Sequence, residues 1–296
     1  MKKKRILLTG GSGFIGRHVL KLLESKYSFL FPSSKELNLL DFDEVNSFLK
    51  NNDIDIIVHG ANIGGKRNQK HLLNTAKYNL TMFENLIRAK QFYSKLIFLG
   101  SGAEYDKSRP ISLVKEIDFG KHIPKDDYGY YKYQCSKYAE NVDFIRHLRI
   151  FGVFGKYEDY IVRFISNNIC RALFGEPLLV RKNVKFDYLC VNDFVKILDI
   201  FLSKDDFAFK HYNVCTGNSI DLLTIAKKII DISNRNLEIK VISQGLSNEY
   251  TGNSDRLIEE LGGFEFTSFD LSLKELYGWY SNNLSNIDKK LLFFDE

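Results

Sequence analysis

Residues Arg5–Gly16 read RILLTGGSGFIG, and the reading of this stretch decides the fold. A short apolar run, Arg5–Leu8, gives way after Thr9 to the glycine pattern Gly10, Gly13, Gly16 and then to a helical pattern. A strand that turns sharply into a helix needs glycine there, because a side chain would hold the backbone away from a pyrophosphate. The helix that follows offers free N–H groups and the positive end of its dipole to an anion. Phe14 and Ile15 open that helix, and Ser12 is placed to cap it. Strand, turn and helix in this order predict a dinucleotide-binding unit, with Gly10, Gly13, Phe14, Ile15 and Gly16 lining the cofactor.

Working outward, apolar runs alternate with helical patterns, the signature of a parallel sheet covered by helices on both faces. Strands are expected over Arg5–Leu8, Ser28–Phe31, Ile54–His59, Lys95–Leu99, Leu148–Phe151 and His211–Val214. Helices fit Phe14–Glu24, Phe42–Lys50, Leu72–Lys90 and a stretch beginning near Tyr128. Later, helices fit Asp159–Leu173, Asp193–Leu202, Leu222–Ile232 and Leu271–Ser281, with a short strand at Leu178–Val180. The fold class that follows is α/β, a Rossmann-type doubly wound parallel sheet with a smaller α/β C-terminal substrate-binding lobe. The cofactor domain is expected over residues 1–155, with segments around 183–217 returning to it, and the lobe mainly over 156–296.

The chain has 296 residues, 44% apolar and 27% charged, enough for one large α/β domain with a buried core. Its net charge of +5 is modest, and Lys2, Lys3, Lys4 and Arg5 supply part of it as a solvated end. Basic residues are not interleaved with aromatics in a nucleic-acid module, so no nucleic-acid partner is expected. No apolar run approaches the ~18–20 residues that span a bilayer, so neither a membrane segment nor a signal peptide is expected. Cys135, Cys170, Cys190 and Cys215 are widely spaced, which points to reduced thiols in a cytoplasm and no metal site.

An NAD site places an acid at the end of the second strand, where it holds the ribose 2′-OH and repels a 2′-phosphate. Here Phe31-Pro32-Ser33-Ser34-Lys35 follows, with no acid before Glu36. Two hydroxyls and an ammonium suit a phosphate, so Ser33, Ser34 and Lys35 favour NADP over NAD. Asp41 is placed either to accept from the adenine amino group or to cap the helix from Phe42.

The chemistry sits further on. Lys95–Leu99 runs into Gly100-Ser101-Gly102-Ala103-Glu104-Tyr105, placing Ser101 at the C-terminal edge of the sheet, where ligands of such folds bind. Tyr128 and Lys132 are four apart on a helix and share a face. A lysine ammonium beside a phenol lowers the phenol from its ordinary ~10 and suits it to proton transfer at neutral pH. A second copy, Tyr133 and Lys137, has the same spacing. The first copy begins the helix and leaves room before the strand at Leu148, so Ser101, Tyr128 and Lys132 are the expected catalytic set.

These residues together resemble the extended short-chain dehydrogenase/reductase family, also called the NAD-dependent epimerase/dehydratase family. Within it they read much like GDP-L-fucose synthase-like nucleotide-sugar 4-ketoreductases, and the resemblance runs from about Arg5 to Gly217. Glu36-Leu37-Asn38-Leu39-Leu40-Asp41, Phe98-Leu99-Gly100-Ser101 and Arg149-Ile150-Phe151-Gly152-Val153-Phe154-Gly155 carry it alongside the glycine pattern. It implies that Gly60, Ala61 and Asn62 line the cofactor and that Asn79 supports the proton relay. It implies a nucleotide-sugar substrate, a homodimer through the helices at Leu72–Lys90 and Tyr128–Phe144, and the substrate contacts Ser101, Ala103, Arg163, Arg181 and Lys185.

The departures narrow the reaction. Relatives that invert neighbouring carbons carry a cysteine where Ala103 stands and a histidine where Lys156-Tyr157-Glu158-Asp159 stands. Dehydratases follow the serine or threonine with Asp-Glu, whereas Gly102-Ala103 follows here. Hydride transfer at C4 of a sugar is what survives, and an NADP-dependent reductase is the leading expectation. An NAD-dependent C4 epimerase uses the same three residues. A non-catalytic dinucleotide-binding sensor is the alternative from another class.

Overall fold

The computed structural model describes residues 2–65, 69 and 72–294. Through the first hundred residues β1 (Arg5–Thr9), α1 (Phe14–Leu23), β2 (Ser28–Leu30), α2 (Phe42–Asn52), β3 (Ile56–His59), α3 (Thr75–Arg88) and β4 (Lys95–Ser101) alternate. β5 (Ile111–Val114), α4 (Asp127–Ala139), β6 (Ile145–Ile150) and β7 (Gly152–Phe154) follow. Then come α5 (Phe164–Phe174), β8 (Leu178–Asn183), β9 (Lys185–Cys190), α6 (Val191–Ser203), β10 (His211–Val214) and β11 (Ser219–Asp221). Last are α7 (Leu222–Ser233), β12 (Ile239–Leu246), β13 (Tyr250–Gly252), α8 (Asp255–Glu260) and α9 (Phe269–Asn282).

Six strands form one parallel sheet in the order β10-β6-β4-β3-β1-β2. Every residue of β3 and β4 is buried, as it must be when helices cover both faces. On one face α1 and α6 pack Val19, Leu23, Phe194, Ile197 and Phe201 on the sheet. On the other, α2, α3 and α4 bring Val45, Leu49, Met82, Phe83, Leu86 and Tyr131. The strand order reverses between β1 and β3, so a crevice opens beyond their C-terminal ends. The doubly wound α/β class read from the sequence is the architecture observed.

The rest of the chain builds two smaller sheets. β11-β9-β13-β5 form one, with β7 beside β9, and β12 pairs with β8 in the other. α5, α7 and α9 cover them around Ile165, Ile169, Ile225, Ile229, Leu273 and Leu276. β5 and β7 reach this lobe from the first half, while α6, β10 and Leu257 of α8 return to the large sheet.

Two local expectations change. Ser12 does not cap α1: the N-cap is Gly13, and no side chain bonds the helix start. The helix expected from Asp159 begins only at Phe164, because the Asp159 carbonyl takes the N–H groups of Val162 and Arg163 in a turn. That turn follows Tyr157, which is held at φ +66°.

Candidate active site

The crevice is shaped by contacts that leave no room for substitution. Gly10 sits at φ +76°, and a Cβ there would lie 2.8 Å from both Ala61 N and Gly60 C, so glycine alone suits both the conformation and the approach. Thr9 Oγ1 accepts from Gly60 N and Ala61 N at 3.2 Å each and lies 2.8 Å from His59 Nδ1. The ends of β1 and β3 are thereby locked together. Phe14 and Ile15 are half-buried at the start of α1, and Gly16 is buried beneath the turn. No side chain caps α1, and only the Gly10 carbonyl lies near a Cβ built on Gly13, so the start of α1 opens onto the crevice. Such a helix start fits a dinucleotide pyrophosphate.

Asn62 and Asn79 build the loop beyond β3. The Asn62 amide donates to the Gly64 carbonyl at 2.7 Å, and its oxygen accepts from the Tyr131 phenol. Asn79 accepts from Ile63 N at 2.9 Å and donates to the Ile63 and Thr75 carbonyls. At the far edge, Ser33 donates through both N–H and Oγ to the Glu36 carboxylate at 2.8 Å. Ser34 and Lys35 stand exposed beside it. Asp41 takes the second of its two roles, capping α2 by accepting from Asp43 N and Glu44 N.

Ser101 ends β4 and starts a short 3-10 turn over Gly102–Tyr105. Its N–H donates to Glu104 Oε1 at 2.8 Å, and its Oγ accepts from Ala103 N at 3.1 Å. α4 arrives opposite, capped by Asp126, which accepts from Gly129 N. A Cβ at Gly129 would meet Ala103 O at 2.9 Å and Pro124 Cβ at 2.7 Å. Glycine after Tyr128 therefore lets the helix start press against the serine turn, beside which Tyr128 stands, its phenol pKa raised by burial and pulled back by the Ser101 hydroxyl.

Lys132 lies one turn on, buried, with its ammonium bonded to the Leu99 carbonyl and 4.5 Å from the Phe98 ring centroid. It is 6.0 Å from the Tyr128 ring centroid. Burial draws its pKa down to about 8. The lowering expected for Tyr128 is not found: burial raises it, and the groups that pull it back are the Ser101 hydroxyl and the Arg163 guanidinium. The amine that was to acidify the phenol is turned onto a backbone carbonyl instead. In the second copy, Tyr133 is buried with its ring 4.9 Å from that of Phe119, and Lys137 points into solvent.

Of the substrate candidates, Ala103 is buried within the serine turn, and Arg163 stands exposed just before α5, its charge lowering the Tyr128 pKa against the burial that raises it. Arg163 also lies 4.0 Å from Glu158, whose carboxyl is pushed up to about 7 by burial. Arg181 and Lys185 stand exposed in the lobe, on β8 and at the start of β9.

Sequence reasoning missed three contributors. Glu104 is buried between His147 Nε2 and Arg149 Nε, each at 2.9 Å. Arg149 also donates to Ser136 Oγ at 2.7 Å. Tyr250, from β13, brings its phenol to 3.4 Å from Ser101 Oγ. Nothing in the polar stretch around Tyr250 marks it; only the non-local pairing of β13 does.

Fold and crevice define an α/β protein of the dinucleotide-binding class. Residues 6–215 match the model of the NAD dependent epimerase/dehydratase family, and the chain belongs to that family. It is 33% identical over 132 residues to GDP-L-colitose synthase of Yersinia pseudotuberculosis, a match covering 43% of this chain and 42% of that enzyme. It is 26% identical over 297 residues to GDP-6-deoxy-D-talose 4-dehydrogenase of Aggregatibacter actinomycetemcomitans, covering 92% of this chain and 97% of that enzyme. Its fold is similar to that of a GDP-L-fucose synthetase from Naegleria fowleri solved with NADP, with TM-score 0.82 and 17% identity over 98% of this chain and 96% of that one. Among the described residues, no helix is long and apolar enough to cross a membrane.

Proposed function

We propose that this protein is an NADP-dependent reductase of a nucleotide-activated 4-keto sugar. The observation that carries the reading is that the start of α4, which bears Tyr128, is pressed through Gly129 against the serine turn at the end of β4, with Ala103 as the neighbouring side chain. NADPH, when bound, supplies the hydride that adds to the ketone carbon. Tyr128 gives its phenolic proton to the ketone oxygen, and Ser101 holds that oxygen by hydrogen bonding. A phenol kept protonated by burial suits a proton donor in the reducing direction. Lys132, drawn down to about 8, remains largely cationic at neutral pH and, bonded to the Leu99 carbonyl, holds the start of α4 on the end of β4, while solvent returns the proton Tyr128 has given. Arg163, an exposed guanidinium just before α5 whose charge acts on Tyr128, is the proposed contact for the substrate diphosphate. Ala103 supplies no acid or base for inversion at the neighbouring carbons, which separates this reading from epimerisation there.

The relatives support the same position of attack, since one of them is a GDP-sugar 4-dehydrogenase. The exposed Ser34 and Lys35 support the phosphorylated cofactor, whereas both donors of Ser33 are taken by Glu36. The exposed Tyr78 on α3 and Tyr130 and Tyr138 on α4 support a homodimer through these helices. Arg181 and Lys185 remain proposed contacts to the nucleotide.

The test is oxidation of NADPH by the purified protein given nucleotide 4-keto-6-deoxyhexoses. Turnover with at least one supports the reading, and none across a panel of bases and sugars overturns it. Stoichiometric NAD extracted from fresh protein would instead indicate the C4 epimerase.

A further inference from the structure

The lobe places one hydroxyl in the reactive centre that the three-residue set does not include. Tyr250 lies on β13, between β5 and β9, with its backbone paired to Ile111 and Phe186. Its ring packs against Phe151 and Phe186 at 5.3 and 5.7 Å. The phenol reaches across to the cofactor domain, 3.4 Å from Ser101 Oγ and facing Ala103 N. Gly102 makes that reach possible, because a Cβ there would lie 2.8 Å from the Tyr250 oxygen. The contact is thus built from both sides: a glycine in the serine turn and an aromatic box in the lobe.

A serine hydroxyl has one hydrogen and two acceptor positions. Ala103 N–H fills one acceptor of Ser101 Oγ at 3.1 Å. Burial keeps Tyr250 protonated throughout the neutral range, so its phenol always has a hydrogen to give. If that hydrogen fills the second acceptor, the only bond left to Ser101 is a donated one, and the open direction is toward Tyr128 and the ketone. A separation of 3.4 Å is long for O–H···O, and such bonds shorten when substrate closes a site.

We propose that Tyr250 is a positioning residue of the reaction, its phenol donating to Ser101 Oγ and so directing the hydroxyl hydrogen of Ser101 at the ketone oxygen. The lobe thereby aims a side chain of the cofactor domain, and the serine is fully armed only when lobe and domain are in register. The inference rests on the reductase reading for its kinetic consequence and on geometry alone for the orientation of Ser101.

The test compares Tyr250→Phe, Ser101→Ala and the double variant. Phenylalanine keeps the ring packing and removes only the hydroxyl. In Tyr250→Phe, kcat should fall roughly tenfold, with KM and the NADPH dissociation constant little changed. In the Ser101→Ala background the same substitution should have no further effect, because its action passes through the serine. Crystal structures of the substrate-free wild type and Tyr250→Phe should show Ser101 Oγ in one rotamer in the first and turned or divided in the second. An unmoved Ser101, or a loss that persists at full size without the serine hydroxyl, overturns the proposal. Were the wild type to reduce no nucleotide ketone, the reductase reading would fall, while the crystallographic comparison would still decide what Tyr250 does to Ser101.

Discussion

Glu104 accepts the Arg149 Nε–H at 2.9 Å with neither side chain reaching solvent, and the same carboxylate takes His147 Nε2 and the Ser101 N–H. Burial alone would raise the Glu104 pKa, but His147 and Arg149 outweigh it and hold the carboxyl below its usual range. The serine turn therefore rests on a buried charge pair. Removing one partner of such a pair strands the other in a medium that cannot solvate it. Glu104→Ala should cost about 3–5 kcal/mol of folding stability, read as a fall in urea midpoint, and should also slow turnover by loosening Ser101. A loss below about 1 kcal/mol would mean that solvent reaches Arg149 more readily than its burial implies.

The two Tyr-Lys pairs of α4 make a sharp comparison. Tyr128 stands at the helix start that presses on the serine turn, whereas Tyr133 is packed on Phe119 with Lys137 in solvent. Tyr128→Phe should reduce kcat by roughly a hundredfold or more, since it deletes the proposed proton donor. Tyr133→Phe should leave kcat within about twofold, as a substitution away from the chemistry. Steady-state rates of NADPH oxidation decide this, and equal losses in the two variants would remove Tyr128 from its role.

The cofactor half of the molecule was legible because its signals are local. RILLT, IIVH and LIFLG are apolar runs that only a sheet covered on both faces can bury, and Gly10 declares its turn by position alone. In the lobe the helices α5, α7 and α9 and the start of β8 were legible, but the other strands were not. β5, β7, β11 and β13 are only three or four residues long, and β9, KFDYLC, mixes charges with aromatics. β12, IKVISQGL, leaves most of its side chains exposed and contains a glycine. Such strands are specified by their neighbours, not by their own periodicity. The site divides the same way: Ser101, Tyr128 and Lys132 stand in recognisable motifs, while Tyr250 arrives through pairing with β5 and β9. The orientation of Lys132 was equally hidden, because the Leu99 carbonyl that accepts from it lies 33 residues away.

Cofactor choice turns on Glu36. Its carboxylate takes both the N–H and the Oγ of Ser33, the groups proposed for the 2′-phosphate, and these bonds lower its pKa. At neutral pH a negative charge thus stands where the phosphate would come. Glu36→Ala should free both donors and remove the repulsion, improving NADPH affinity relative to NADH by roughly tenfold. Fluorescence titration with the two cofactors measures the ratio. A fall in that ratio would show that Glu36 moves aside on binding and supports the phosphate loop.

Glu158 provides the last prediction, a pH dependence of stability. Its carboxyl is buried, accepts from Ser166 Oγ at 2.8 Å and has Arg163 4.0 Å away, yet burial dominates and raises it to about 7. A carboxyl raised in the folded state favours folding in its protonated form. That contribution is complete below the unfolded value near 4.5 and is lost as pH rises through about 7. Glu158→Gln keeps a neutral group of the same size, so it does not lose stability over this interval. The variant should gain on the wild type by about 3 kcal/mol between about pH 4.5 and about pH 8, because each tenfold difference in proton affinity between the folded and unfolded chain is worth about 1.36 kcal/mol. Urea unfolding of both proteins at several pH values measures the difference. A flat difference would mean that Arg163 closes on the carboxylate and compensates its burial, and a difference of opposite slope would place the Glu158 pKa below its unfolded value.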